Sequence, residues 1–208
     1  MSNLNTETTI EHRDDQASKL GMWLFIFTEL LLFGGLFLVY AVFRLKYAAQ
    51  FHEAALELNA FIGAVNTVVL LISSMTIAMS VTAMQKNEIK KCKRLILVTV
   101  FLGLVFLVNK YFEWEHKIEL KLYPGSDFML SDKLEAGHKL FFSLYWFMTG
   151  LHALHIIIGL TLILIIFKRI HSGRINSENH ALLENGGLYW HLVDLIWIFL
   201  FPLMYLIS

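Results

Sequence analysis

At 208 residues, with 57 % apolar content and only 16 % charge, the chain falls well below the roughly 25 % charged fraction of an average soluble domain and reads as an integral membrane protein. Seventeen basic residues balance seventeen acidic ones, so no net field argues for nucleic acid as a partner, and 17 Phe with 5 Trp suit a lipid-facing surface. The single Cys92 excludes an internal disulfide and any centre needing two thiolates from this chain, such as a dinuclear copper site or an iron–sulfur cluster.

Residues 1–20 read as a polar N-terminal tail. The tail has neither a basic n-region nor a small-residue cleavage site, so no cleavable signal is evident and the first apolar run is retained. A bilayer core needs about 20 apolar residues per crossing, and five runs supply them: about 21–43, 59–84, 95–114, 139–167 and 188–207. The expected fold is therefore all-α, a single integral membrane bundle of five transmembrane helices over residues 21–208. The fourth run is long for one crossing, so it tilts or extends past the lipid.

Glu29 stands almost at the centre of the first run, Gly21 to Phe43, which carries no other charge. A carboxylate at mid-depth costs roughly 2.5–3.5 kcal/mol by insertion scales, so it faces protein or water and marks function or helix docking. We read it as a buried, proton-active carboxyl. In the second run Asn66, Thr67, Ser73 and Ser74 make a small-polar stripe of the kind that packs helix on helix. Lys110 and Glu113 fall three apart at the outer end of the third run, where Lys110 can snorkel while paired with Glu113; the expectation is a solvated helix end. The connection Glu115 to His138 carries a Pro124–Gly125 turn signal and mixed charges, and is expected to be a structured outside loop too small for a domain.

His152 and His155 repeat the three-residue spacing near the middle of the fourth run, where Gly150, Ala153 and Gly159 would let another helix approach closely. His191 and Asp194 share one face of the fifth, able to touch each other or a common partner. Each such group reads either as interhelical hydrogen-bonding glue or as a relay or ligand. Haem ligation by two histidines needs matched depth on two helices, and His191 lies about 6 Å off the level of His155 by helix rise.

Orientation follows from Lys and Arg. Arg13 and Lys19 in the tail, Lys86, Lys90, Lys91, Lys93 and Arg94 between the second and third runs, and Lys168, Arg169 and Arg174 between the fourth and fifth share one face. They outnumber Arg44, Lys46, Lys117, Lys121, Lys133 and Lys139 on the other, which favours a cytoplasmic N-terminus and an outside C-terminus. The Lys86–Arg94 cluster reads as a topology signal, with anionic lipid as a second role. An odd number of spans, no duplicated half and no Pro-broken helix centre argue against an inverted-repeat transporter.

Four stretches in chain order carry a family resemblance. Phe27-Thr28-Glu29-Leu30 with Phe33-Gly34-Gly35-Leu36-Phe37, then Asn66-Thr67 with Ser73-Ser74, then Thr149-Gly150-Leu151-His152-Ala153-Leu154-His155-Ile156-Ile157-Ile158-Gly159, and finally Tyr189-Trp190-His191-Leu192-Val193-Asp194-Leu195-Ile196-Trp197 resemble the motifs of subunit III of the haem-copper terminal oxidases, the cytochrome c oxidase subunit III family. Many relatives have seven helices; this chain resembles the shorter five-helix bacterial forms, and Ala153 stands where the family has Gly.

The resemblance implies a non-catalytic subunit in the bacterial inner (plasma) membrane, multi-pass, without haem or copper of its own. Its partners would be oxidase subunit I by direct packing, subunit II and other oxidase subunits carrying the haem and copper, membrane lipids including bound phospholipid, and a larger respiratory supercomplex. It also implies that Glu29 is a buried, carbodiimide-reactive group facing subunit I, and that the subunit sustains proton delivery in an oxidase that couples aerobic respiration and electron transport to proton translocation. A quinol oxidase or a nitric-oxide-reductase-linked relative fits the same pattern. From other classes, a haem cytochrome using His152, His155 or His191, or a proton-coupled carrier using Glu29 and Asp194, stays open at this stage.

Overall fold

The structure is a computed structural model that describes the backbone of residues 2–131 and 134–206 and the side chains of 17–131 and 134–206. Arg13 and Lys133, both used in the orientation argument, and residue 207 at the end of the fifth run therefore lie outside the described side chains. Among the described residues every regular element is a helix: α1 (Ser2–Lys46), α2 (Ala48–Leu56), α3 (Ala60–Gln85), α4 (Ile89–Glu119), α5 (Asp127–Leu130), α6 (Ala136–His171) and α7 (Ala181–Tyr205). Five of them, α1, α3, α4, α6 and α7, are long and apolar enough to cross a membrane.

Each spanning helix outruns its apolar window. Two ends are exceptions: α3 begins at Ala60 with Asn59 as its N-cap, and α7 stops at Tyr205 rather than reaching residue 207, though it begins seven residues early. Apolar content marks only the part that meets lipid, whereas backbone hydrogen bonding continues until a cap stops it. Asn87 at φ 58° closes α3, with Glu88 N–H bonding back to Ala83 C=O, and Lys121 at φ 56° closes α4 with Leu122 N–H on Lys117 C=O. Both are left-handed C-terminal caps. The α4–α6 connection is accordingly shorter than Glu115–His138, and the one-turn helix α5, capped by Ser126, sits inside it beyond Gly125 at φ 89°. Two short helices, α2 and α5, have no counterpart in the apolar pattern because neither carries a full crossing of apolar residues.

Packing is uneven. α3 lies along α4 and against α7, α7 also packs on α6, and α1 is held at the edge by α6 and α7. Only 6 % of the apolar stretch of α1 is covered, against 61 % for α7. The interior is organised around two α7 tryptophans, Trp190 and Trp197, both essentially inaccessible. Gly103 on α4 admits Trp190: a Cβ there would sit 2.8 Å from Leu160 and 2.9 Å from Trp190. Gly159 on α6 faces the same indole, so it is a close-approach position, but Gly150 has open space around it. The close-packing role expected of Gly150 is thus absent among the described residues.

Candidate functional site

Glu29 comes from the middle of α1 and turns toward α6. Its Oε2 lies 3.1 Å from His155 Nε2, with the two side chains 14 % and 9 % exposed. The contact has ion-pair distance without the alignment of a ring N–H hydrogen bond. The other ring nitrogen, His155 Nδ1, donates to Leu151 C=O at 2.8 Å. A carbonyl only accepts, so Nδ1 carries a hydrogen, and Nε2 is either a bare acceptor or the second N–H of an imidazolium. The contact therefore joins a carboxyl of α1 to a ring nitrogen of α6 at 3.1 Å.

What seats this pair is a small apolar cluster of Phe33, Leu192 and Ile196, with Ile26, Leu36, Phe37 and Leu151 against it. Phe33 meets the His155 ring edge-on at 5.5 Å, and Tyr189 O–H donates to His155 C=O at 3.2 Å. α1 thus docks through Glu29 and Phe33, one turn apart, while Leu31, Gly34, Gly35 and Leu38 stay open.

The remaining candidates do not join Glu29. His152, completely buried, lies between Phe106 at 5.5 Å and Trp197 at 5.1 Å, and neither ring nitrogen has a partner among the described residues. His191 Nδ1 meets Ser74 Oγ at 2.6 Å, and Ser74 also stands beside buried Asp194. The two residues thus share a partner on α3. Asn66 accepts from Asn109 Nδ2 at 2.8 Å, and Ser73 Oγ accepts from Trp190 Nε1 at 3.0 Å. Trp197 Nε1 donates to Thr67 Oγ1 at 3.0 Å, and Thr76 and Thr99 hydroxyls meet at 2.7 Å. The stripe on α3 is a packing face, hydrogen-bonded to α4 and α7 throughout the bundle.

Lys110 and Glu113 pair at 3.0 Å, but the solvated helix end expected for them is not what forms. α4 runs on to Glu119, so the two sit inside it, with side chains 1 % and 5 % exposed. Tyr145 of α6 and Tyr205 of α7 both donate to Glu113 Oε1, and Lys110 Nζ also donates to Tyr205 Oη at 2.5 Å. Lys117, two turns on from Lys110, is buried too and caps the last turn of α2 by donating to Glu57 C=O. Sequence reasoning missed Tyr145, Tyr205 and Lys117, since aromatic and basic residues near span ends look like interfacial anchors.

Among the described residues, no three His, Cys, Asp or Glu side chains gather as a cluster able to hold a metal ion. His155 is engaged by Glu29 and Leu151, and His191 by Ser74, so the histidines do not converge on a common centre.

These features define an integral membrane helical bundle whose buried polar groups bind mainly one another and whose first helix leaves most of its surface to something else. The chain belongs to the cytochrome c oxidase subunit III family, whose sequence pattern matches residues 3–208. It is 32 % identical over 199 residues to a cytochrome c oxidase subunit 3 of Thermostichus vulcanus, covering 95 % of this chain and 90 % of that protein. A probable quinol oxidase subunit 3 of Staphylococcus saprophyticus is 28 % identical over 204 residues, covering 96 % and 94 %. A heme-copper oxidase subunit I+III of Aeropyrum pernix is 28 % identical over 207 residues, covering 95 % of this chain and 24 % of that longer protein.

Proposed function

We propose that this chain is the non-catalytic subunit III of a proton-pumping cytochrome c oxidase in a bacterial plasma membrane, with its N-terminus cytoplasmic and its C-terminus outside. The match across residues 3–208 carries this reading. In it, haem and copper belong to partner subunits and none to this chain, α1 packs against subunit I, and subunit II and phospholipid complete the surroundings. The open face of α1, with Gly34 and Gly35 unobstructed, supports such docking, as small residues allow backbones to approach closely. The subunit I+III relative, in which this chain's counterpart is part of one longer polypeptide, supports the same neighbour.

Glu29 is the proton-active carboxyl in this proposal, and His155 its partner. The pair stabilises α1 against α6 and α7 beneath the docking face, and through it the subunit sustains proton delivery and prolongs the working life of subunit I. Purification in mild detergent tests the reading. We expect a large histidine-rich haem protein and a copper-binding protein to accompany the chain, and the chain alone to show no Soret band. Stoichiometric haem on the isolated chain would refute it.

A second reading, subunit III of a quinol oxidase, is supported by the Staphylococcus relative. The co-purified complex decides between them by which donor, cytochrome c or quinol, it oxidises.

A further inference from the structure

The Lys110–Glu113 pair is built for more than holding helices. All of Glu113's described hydrogen bonds fall on one oxygen: Oε1 takes Lys110 Nζ, Tyr145 O–H and Tyr205 O–H, while Oε2 is buried with no partner among the described residues. Buried carboxylate oxygens are almost always hydrogen-bonded, so a bare one calls for a donor. Glu113 also lines a cavity of about 580 Å³ between the α2–α3 corner and α4, together with Lys117, His116, Asn59 and the apolar Ile62 and Phe112 among others. A water occupies ~30 Å³ in the liquid, so the space has room for several, and Glu113, Lys117, His116 and Asn59 offer them polar partners on a mostly apolar wall.

We propose that this cavity is a hydrated vestibule through which Glu113 exchanges protons with the membrane face that carries α5, and that Lys110, Glu113, Tyr145 and Tyr205 together form a site able to hold one additional proton. Oε2 is covered in this packing, and a small shift of the Glu113 carboxyl toward the cavity lets water there donate to it. When a hydronium ion arrives there, Oε2 takes the proton and the water is left behind; release is the reverse.

What distinguishes this from an ordinary buried ion pair is the provision for Lys110 once its counter-charge is neutralised. Its ammonium lies over three aromatic rings, 5.2 Å from the centroid of Tyr145, 5.1 Å from Trp197 and 5.2 Å from Tyr205. Cation–π attraction is strongest where water is excluded. Lys110 also keeps the Tyr205 oxygen at 2.5 Å and the Tyr145 oxygen at 3.5 Å as acceptors. The other charged groups facing Glu113 are Lys117 and His116 on α4 and Glu57 at the end of α2; α6 and α7 contribute the two phenols. The site is separate from the Glu29–His155 pair and does not depend on which partner covers α1.

Infrared spectroscopy of the intact complex in lipid nanodiscs tests this, the Glu113 bands being assigned by difference against Glu113→Gln. Should that variant lose the subunit, the reference becomes the double variant Lys110→Met with Glu113→Gln, which buries no lone charge. We expect the Glu113 carboxylate band to shift within minutes of transfer to D2O, as deuterium replaces hydrogen on the water, Lys110, Tyr145 and Tyr205 donors bonded to it. Ala60→Phe, which fills the cavity from a position outside the cluster, should slow that shift at least tenfold. Acidification should convert the band to that of a protonated carboxyl with the complex still assembled. A band unmoved after hours in D2O, an Ala60→Phe complex exchanging at the native rate, or no conversion at any pH the complex survives would overturn the proposal.

Discussion

Single residues set what the bundle can do chemically. Glu29 is visible in the sequence because a lone carboxylate interrupts an apolar run, and His155 because histidine is rare at that depth. Their meeting was not visible: helix rise gives depth, but the rotation of α1 against α6 depends on Phe33 fitting beside Leu192 and Ile196. We expect Glu29→Ala to leave haem content and assembly of the complex nearly intact while shortening its active life under sustained turnover, measured as the number of turnovers before inactivation. A hydrophobic carbodiimide should label Glu29 in the assembled complex. The Trp190–Ser73 hydrogen bond is a simpler case. Interhelical bonds of this kind average roughly 0.6 kcal/mol in membrane proteins, so a double-mutant cycle of Trp190→Phe and Ser73→Ala, read from unfolding in detergent, should return a coupling of that order.

At the level of helices, close approach and capping decide which element sits where. A leucine at Gly103 would drive into Leu160 and Trp190, and overpacking of this sort costs about 1–3 kcal/mol. Gly103→Leu should therefore lower the melting temperature of the isolated subunit. A Cβ at Gly34 meets nothing among the described residues, so with Gly34→Leu the same measurement should barely change, while retention of the subunit in the complex falls if α1 docks there. Lys117→Met should loosen α2 from α4, because the Glu57 carbonyl would lose its buried donor; faster hydrogen exchange at Ala54, Ala55 and Leu56 is the readout. The five spans were legible because twenty-odd apolar residues in a row have one use. Their true ends were not, since Asn87 and Lys121 stop helices through backbone conformation, which hydropathy does not report.

For the molecule as a whole, the order of spans and the family were legible, while the division of labour among buried polar groups was not. Asn66, Ser73 and Ser74 turned out to serve neighbouring helices, whereas Lys110 and Glu113 form the most densely bonded charged cluster described, although they look like a span end in the sequence. The proposed orientation makes a direct prediction. With native Cys92 buried, a cysteine placed at Gly125 should react with a membrane-impermeant maleimide in intact cells. One placed at Asn87 should react only after the membrane is opened. The reverse pattern would invert the topology.

The peripheral seat of α1 also bears on how the polypeptide is made. Ser18 at the start of this span bonds Asn185 of α7, 167 positions later in the chain, and Glu29 awaits a histidine on α6. At about 5–20 residues per second, the ribosome needs on the order of ten seconds to supply that far end. Throughout that interval the first span must rest in lipid with its acid unmatched, so insertion machinery or a waiting neighbour that shelters Glu29 would govern the yield of mature protein.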